Sequence, residues 1–384
     1  MRRTLRLAAS LAPLALAAAC SSYNPLVWVG ISNPPANPPT PLAPIKATVT
    51  PHAAWTASVG KSNGLNLRPA IDGGKVYAAA ADGTVTVLAE DSGRQLSRFE
   101  TKKPISGGLE VADGRIFAGT LKGQVLALDP SGKQLWSAQL AGEVIATPSV
   151  SRNIVVVRTS DGRIFAYSVG EGKRLWVYQR PAPSLLLRSA AGVLAIGGDV
   201  VAGYPNGKLV ALDIDDGKLT WEVTVALPKG STELERIADV AGLPVIDGSN
   251  VCAGAFQGKI ACFEIATRNM VWSRDISTAR GLTTDAKNLY VVDDTGAVLA
   301  LDKRSGASVW KQDKLRYRQL TSPVVFDGHV VVADGYGYIH VLSADDGALI
   351  GRLATDKSVV ESLVPGLSAL FAQTAGGELV AVRF

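Results

Sequence analysis

Short apolar runs, separated by glycine turns, recur along this chain. The unit is clearest at Gly114-Arg-Ile-Phe-Ala-Gly-Thr-Leu-Lys-Gly123-Gln-Val-Leu-Ala-Leu-Asp129. A strand rises to Gly123, turns and returns. A second turn at Ser131-Gly132 then leads into a stretch that carries Trp136. The returning runs, such as Val125–Leu128 and Leu209–Leu212, are apolar in both parities. That pattern suits strands buried on both faces. The turns favour glycine because hairpin turns need positive φ, and Asp82-Gly83 and Asp161-Gly162 are strong hairpin pairs. The turn glycines are Gly83, Gly123, Gly162, Gly207, Gly258, Gly296, Gly337 and Gly377, spaced by 40, 39, 45, 51, 38, 41 and 40 residues. A period of about 40–45 residues with four short strands per unit marks a propeller blade. The pattern predicts an all-β, eight-bladed β-propeller of four-stranded antiparallel blades.

The outer part of each unit repeats too. Gly132, Gly172, Gly217 and Gly306 precede Trp136, Trp176, Trp221 and Trp310. Blade five has Arg268 in the glycine place but keeps Trp272. Blades one and seven have Ser97 and Gly351 where tryptophan would stand. In the last blade, Glu378–Phe384 reads as the inner strand, and no tryptophan strand follows it. The orphan Trp55 lies in an apolar run near the other end of the chain. Residues 52–60 are therefore expected to complete blade eight and close the ring, which leaves no blade without a neighbour on either side.

The first 19 residues read as a signal peptide. Arg2, Arg3 and Arg6 precede a mostly apolar run from Leu7 to Ala19. That run is shorter than the ~20 residues of a membrane-spanning helix and ends in small residues. Leu16-Ala-Ala-Ala-Cys20 is similar to a bacterial lipobox, which implies a lipid on Cys20. Ser21, next to it, favours the outer membrane. Residues 20–50 read as a tether, because eight prolines between Asn24 and Pro51 exclude helix and central strand. The propeller is expected over 51–384. Trp28 lies in an apolar patch of the tether.

Charge excludes one class of partner. The chain has 39 basic and 34 acidic side chains, and setting aside the three signal arginines leaves 36 against 34. There is no dense basic run or aromatic-basic stripe, so nucleic acid is not an expected partner. His52, His329 and His340 have no metal-ligand spacing. His340, on a returning strand, reads as a surface or packing residue. No Gly-x-Ser-x-Gly elbow is present. Asp129, Asp213 and Asp302 end returning strands and read as turn caps. Cys252 and Cys262 flank the Gln257-Gly258 turn. Cys262 takes a place held elsewhere by alanine and reads as a small buried thiol. A cross-strand disulfide in an oxidising compartment stays open.

The repeat is stretched in two places only, where the spacing rises to 45 and 51. Extra residues in a repeat fold emerge as loops on a face, and loops on a rigid scaffold concentrate binding residues. The first stretch holds Pro183-Ser-Leu-Leu-Leu-Arg188, and the second Gly230-Ser-Thr-Glu-Leu-Glu-Arg-Ile-Ala-Asp239-Val240. Leucines beside an arginine that can bind two acceptors fit a protein interface. The same leucines could instead pack beneath a long loop.

The unit Asp-Gly-x-x-x-Ala-Leu-Asp, with a following Gly-Lys and tryptophan, resembles the PQQ-like repeat propeller family. The resemblance implies that the tryptophans dock each blade on its neighbour. The lipoprotein start and the two stretched segments narrow it to the BamB family, propeller lipoproteins of the β-barrel assembly (BAM) machinery of the Gram-negative outer membrane. What this implies is a non-enzymatic scaffold that assists folding and insertion of outer-membrane proteins. It would be lipid-anchored in the outer membrane, face the periplasm, and have no cofactor and no small-molecule substrate. Its expected partners are the BamA POTRA domains and other BAM subunits. Nascent outer-membrane strands could also add to sheet edges. Carried over, the contact residues are Leu185, Leu187, Arg188 and Asp239, with Glu235 and Arg236 nearby. Ala241 stands where the family has a second acid, and Glu235 is a possible substitute. The competing reading is a PQQ-dependent dehydrogenase or ligand-binding propeller, although the vicinal cysteine pair of such enzymes is missing.

Overall fold

Seven of the eight repeats fold as four antiparallel strands laid down in chain order. In the second, Glu110–Ala112, Arg115–Gly119, Gln124–Leu128 and Gln134–Gln139 pair in succession. The computed structural model describes residues 37–181, 183 and 185–384. The predicted signal peptide, Cys20 and Trp28 lie outside them. Eight four-stranded sheets occur among the described residues, and no strand is shared between sheets. The all-β, eight-bladed propeller read from the period is the observed fold.

The core is divided among the seams between blades. Each of eight apolar clusters joins two neighbouring blades. One, for example, joins Val156, Ala166 and Trp176 of blade three to Val200, Val210 and Leu212 of blade four. The middle strands are buried on both faces, as their unbroken apolar runs require.

The tryptophans are the seam docks. The Trp176 indole N–H donates to the Ile214 carbonyl of the next blade at 2.8 Å. Its ring lies against Gly217, whose φ is +71° and where a Cβ would come within 2.5 Å of the indole. Trp55, Trp136, Trp272 and Trp310 make the same hydrogen bond, to Glu90, Val169, Lys303 and Ala344. In blade one, which has Ser97, the dock moves two residues along the same face of the strand. There Phe99 packs on Gly132.

The ring closes through His52–Ser58, which pairs antiparallel with Glu378–Arg383 and sets Trp55 opposite Ala381. Glu378–Arg383 is the third strand of its blade, next to the outermost. The innermost is Val360–Pro365, which corrects the sequence reading of Glu378–Phe384 as the inner strand. The compact unit of the described residues begins at Pro39.

Two further readings change. Cys252 and Cys262 are joined by a disulfide, not left as buried thiols. They stand directly opposite across the second and third strands of blade five, a pairing that depends on register. His340 is neither a surface nor a plain packing residue. It is fully buried, and its Nε2 donates to Asp334 Oδ2 at 2.9 Å. Arg318 Nε donates to the same oxygen at 2.7 Å, and Arg352 Nε donates to His340 Nδ1 at 3.4 Å. Burial holds the imidazole below its ordinary pKa, as fits a neutral ring that accepts from an arginine. The strand-ending aspartates are turn caps: Asp129 accepts from Ser131 and Lys133, Asp213 from Asp215 and Asp216, and Asp302 from Arg304 and Ser305.

Candidate functional site

The two long loops lie side by side. The first runs from the end of blade three at Tyr178 to the start of blade four at Leu194. The second runs from Thr224 of blade four to Val245 of blade five. Asp239 ties them together. Its Oδ2 accepts from the Leu187 N–H at 2.7 Å. A second tie follows two residues on in each loop, where Ser189 Oγ donates to the Ala241 carbonyl at 2.5 Å.

Asp239 is buried. Burial pushes its carboxyl above the usual range, against the opposite pull of the Leu187 and Asn206 N–H groups and of nearby Arg158. A group in that position shapes the loop pair from within. Ala241 is buried as well and contributes its carbonyl.

Glu235 caps its own loop. Its carboxylate accepts from the Ser231 and Thr232 N–H groups at 2.7 and 3.1 Å, while Thr232 Oγ1 accepts from the Glu235 N–H at 3.2 Å. This is a reciprocal capping box. These bonds hold its pKa below the ordinary glutamate value. Arg236 Nε donates to the Gly230 carbonyl at 3.2 Å and so closes the same turn. The Gln257 carboxamide of blade five, with its nitrogen oriented to the loop, donates to the carbonyls of Leu234, Glu235 and Ile237.

The outward-facing residues are Leu185 and Arg188. Leu187 is half-buried. Arg188 pairs with Glu143 of blade two at 2.8 Å, with both side chains largely exposed. Beneath Leu186 and Leu187 a small pocket is walled by Arg158, Arg180 and Tyr204. The Arg158 and Arg180 guanidiniums lie 4.9 and 5.4 Å from the centre of the Tyr204 ring. Arg180 is paired with Glu222 at 2.7 Å. This stack gives the loop a firm floor.

Between the loops lies a groove of about 340 Å³ lined by Pro183, Leu185, Pro228, Arg236 and Ile237. Two exposed leucines that sequence reading missed, Leu227 and Leu234, belong to the second loop and are 67 and 66% exposed. Their signal was an apolar residue inside an insertion that has no strand alternation. Chemically the site is a braced groove of mixed lining, in which Asn206, Glu233, Arg236 and Asp239 stand beside prolines, Leu185 and Ile237, suited to gripping a protein segment. Among the described residues, no group of three His, Cys, Asp or Glu side chains is placed to hold a metal ion.

Comparison with known proteins adds the following. A family model described as outer membrane protein assembly factor BamB matches residues 81–312. The protein of that name from Nitrosomonas eutropha is 41% identical over 322 residues, 84% of this chain and 77% of the relative. The one from Bordetella pertussis is 39% identical over 348 residues, 90% of each. The one from Escherichia coli K12 is 31% identical over 333 residues, 83% of this chain and 85% of the relative. The crystal structure of BamB from Moraxella catarrhalis matches with a TM-score of 0.81 at 27% identity, over 87% of this chain and all of that one. A quinohemoprotein alcohol dehydrogenase from Comamonas testosteroni reaches a TM-score of 0.68 at 11% identity, over 86% of this chain and 76% of that one. That likeness is one of fold alone.

Proposed function

Because this chain belongs to the BamB family of outer membrane protein assembly factors, a family of assembly factors and not of enzymes, we propose that it is a scaffold of the BAM complex that assists folding and insertion of outer-membrane proteins. In this reading a lipid on Cys20 holds the protein at the outer membrane, facing the periplasm. The two-loop groove binds the POTRA region of BamA.

The observation that carries the reading is the coupling of the two loops through Leu187 and Asp239. It holds exposed Leu185 at the groove, on a loop braced against the one that carries exposed Leu227 and Leu234. A rigid anchor loses little conformational freedom on binding, which is how a small apolar patch gains affinity. Arg188 borders the patch, and its pairing with Glu143 is exposed enough to be exchanged for a partner's carboxylate.

The test is affinity capture from envelope extract with wild type, Leu185→Asp and Arg188→Glu. Wild type recovers BamA and the variants recover much less. No BamA with wild type rejects the assignment of partner. Equal recovery by all three rejects the groove.

A further inference from the structure

Residues 39–50, part of the tether expected from sequence, lie together with Pro51 along blades six and seven. The Thr40 N–H donates to the Arg316 carbonyl at 3.0 Å, and the Thr40 carbonyl accepts from Arg318 Nη1 at 3.1 Å. Leu42 packs into the apolar seam between the two blades. The Ala43 carbonyl accepts from Arg352 Nη1 at 3.2 Å. The Thr48 and Val49 N–H groups both donate to the Ile350 carbonyl, at 3.0 and 3.1 Å, on the outer strand of blade seven.

The composition suits this seat. Prolines at 39, 41 and 44 favour a polyproline II path, which has three residues per turn and unbonded carbonyls. Thr40 and Ala43, three apart, therefore present their carbonyls to the same side, where the two arginines stand. The arginines are fixed in advance. Arg318 is paired with Asp334 and lies 4.9 Å over the Tyr336 ring, and Arg352 donates to His340.

The same segment accounts for the anomaly of blade seven. Five propeller tryptophans donate to a carbonyl near the turn between the third and fourth strands of the following blade. Blade eight has no such turn, because its third strand is Glu378–Arg383 and its fourth is His52–Ser58. A tryptophan at 351 would have no such turn to sit on. The Val49 carbonyl and Pro51 ring occupy that space instead, lying 3.1 and 2.8 Å from where a Gly351 Cβ would be.

We infer that residues 39–51 are a clasp, with the Arg318–Arg352 surface as its receptor. It locks the seam between blades seven and eight in place of the tryptophan. A second consequence rests on the proposed lipid at Cys20: with the clasp shut, residues 39–51, at most about 40 Å of extended chain, are withdrawn from the tether.

Amide hydrogen exchange on the full mature chain tests the clasp, with and without lipid, so that a failure of lipidation leaves the result intact. In wild type, the amides of Thr40, Thr48 and Val49 exchange about two orders of magnitude more slowly than in an unprotected chain. In Leu42→Asp, Thr40 exchange rises toward the unprotected rate while His52–Ser58 stays protected. In Gly351→Ala, whose new Cβ demands the space of the Val49 carbonyl and the Pro51 ring, exchange rises at Thr48 and Val49. Unprotected exchange at these amides in wild type would overturn the clasp, and so would unchanged protection in both variants. Palmitate labelling at Cys20 tests the anchor separately.

Discussion

The Leu187 amide donates to the Asp239 carboxylate at 2.7 Å across 52 residues of sequence, so that two insertions from different blades behave as one body. Asp239→Ala removes an acceptor held in a buried place, at a cost of about 2 kcal/mol. We expect the loss to fall on the loops. Hydrogen exchange should rise at Leu187 and through the first loop, and BamA recovery should drop. Normal recovery with loosened loops would mean that the partner does not need the pair held together.

Arg188 should behave in the opposite way. Its pair with Glu143 is exposed on both sides and is worth less than about 1 kcal/mol to the fold. Arg188→Glu should leave the melting temperature unchanged and still reduce BamA capture. A fall in melting temperature matching that of Asp239→Ala would assign Arg188 a structural role.

The seams carry the stability of the ring. Trp176→Ala deletes a buried dock and its hydrogen bond, and should cost about 3–5 kcal/mol. Gly217→Ala puts a Cβ 2.5 Å from that indole on a backbone with φ of +71°, so it too should destabilise, by more than about 1 kcal/mol. Calorimetric melting of both variants checks this. An unaffected Gly217→Ala would show that the indole is free to move.

Two half-buried glutamates predict an unusual pH dependence. Burial raises Glu110 to about 7, opposed by Arg68 and by the Val150 amide. Burial also raises Glu361 to about 7, opposed by hydrogen bonds from Ser62 and Leu67. Since the folded value lies above the unfolded one, these groups favour the fold below the ordinary glutamate range. That contribution is lost as pH rises through 7. Glu361→Gln should therefore melt higher than wild type at pH 8, with the gap closing toward pH 5. A gap that widened in acid would show that Glu361 is charged in the fold.

The Cys252–Cys262 disulfide closes a short hairpin, and the chain-entropy account gives it about 2–3 kcal/mol. Cys252→Ala with Cys262→Ala should lower the melting temperature, and free-thiol titration of the unfolded, unreduced protein should find neither cysteine. Two titratable thiols would contradict the bond.

The parts of this molecule that repeat were legible in its sequence. Turn glycines near every fortieth residue gave the blades, and the glycine–tryptophan spacing gave the seam docks. Residues that act only through a distant partner were not. Nothing local to Asp239 distinguishes an inward carboxylate from a surface acid, because its role depends on an amide in another loop. Gly351 reads as a lost tryptophan until Pro51, from the far end of the chain, is placed beside it. The turn that Glu235 caps was equally hidden, because it depends on backbone amides that a local motif does not place. The leucines of the first loop divide between the two readings open to them: Leu185 faces out, while Leu186 and Leu187 cover the pocket above Tyr204.

The central claim is that this propeller works through the surface its coupled loops present. Capture of BamA by purified wild type, Leu185→Asp and the double variant Leu227→Asp with Leu234→Asp measures that most directly. The variants should melt like wild type and lose most of the bound BamA. Full BamA recovery by both folded variants would contradict the account.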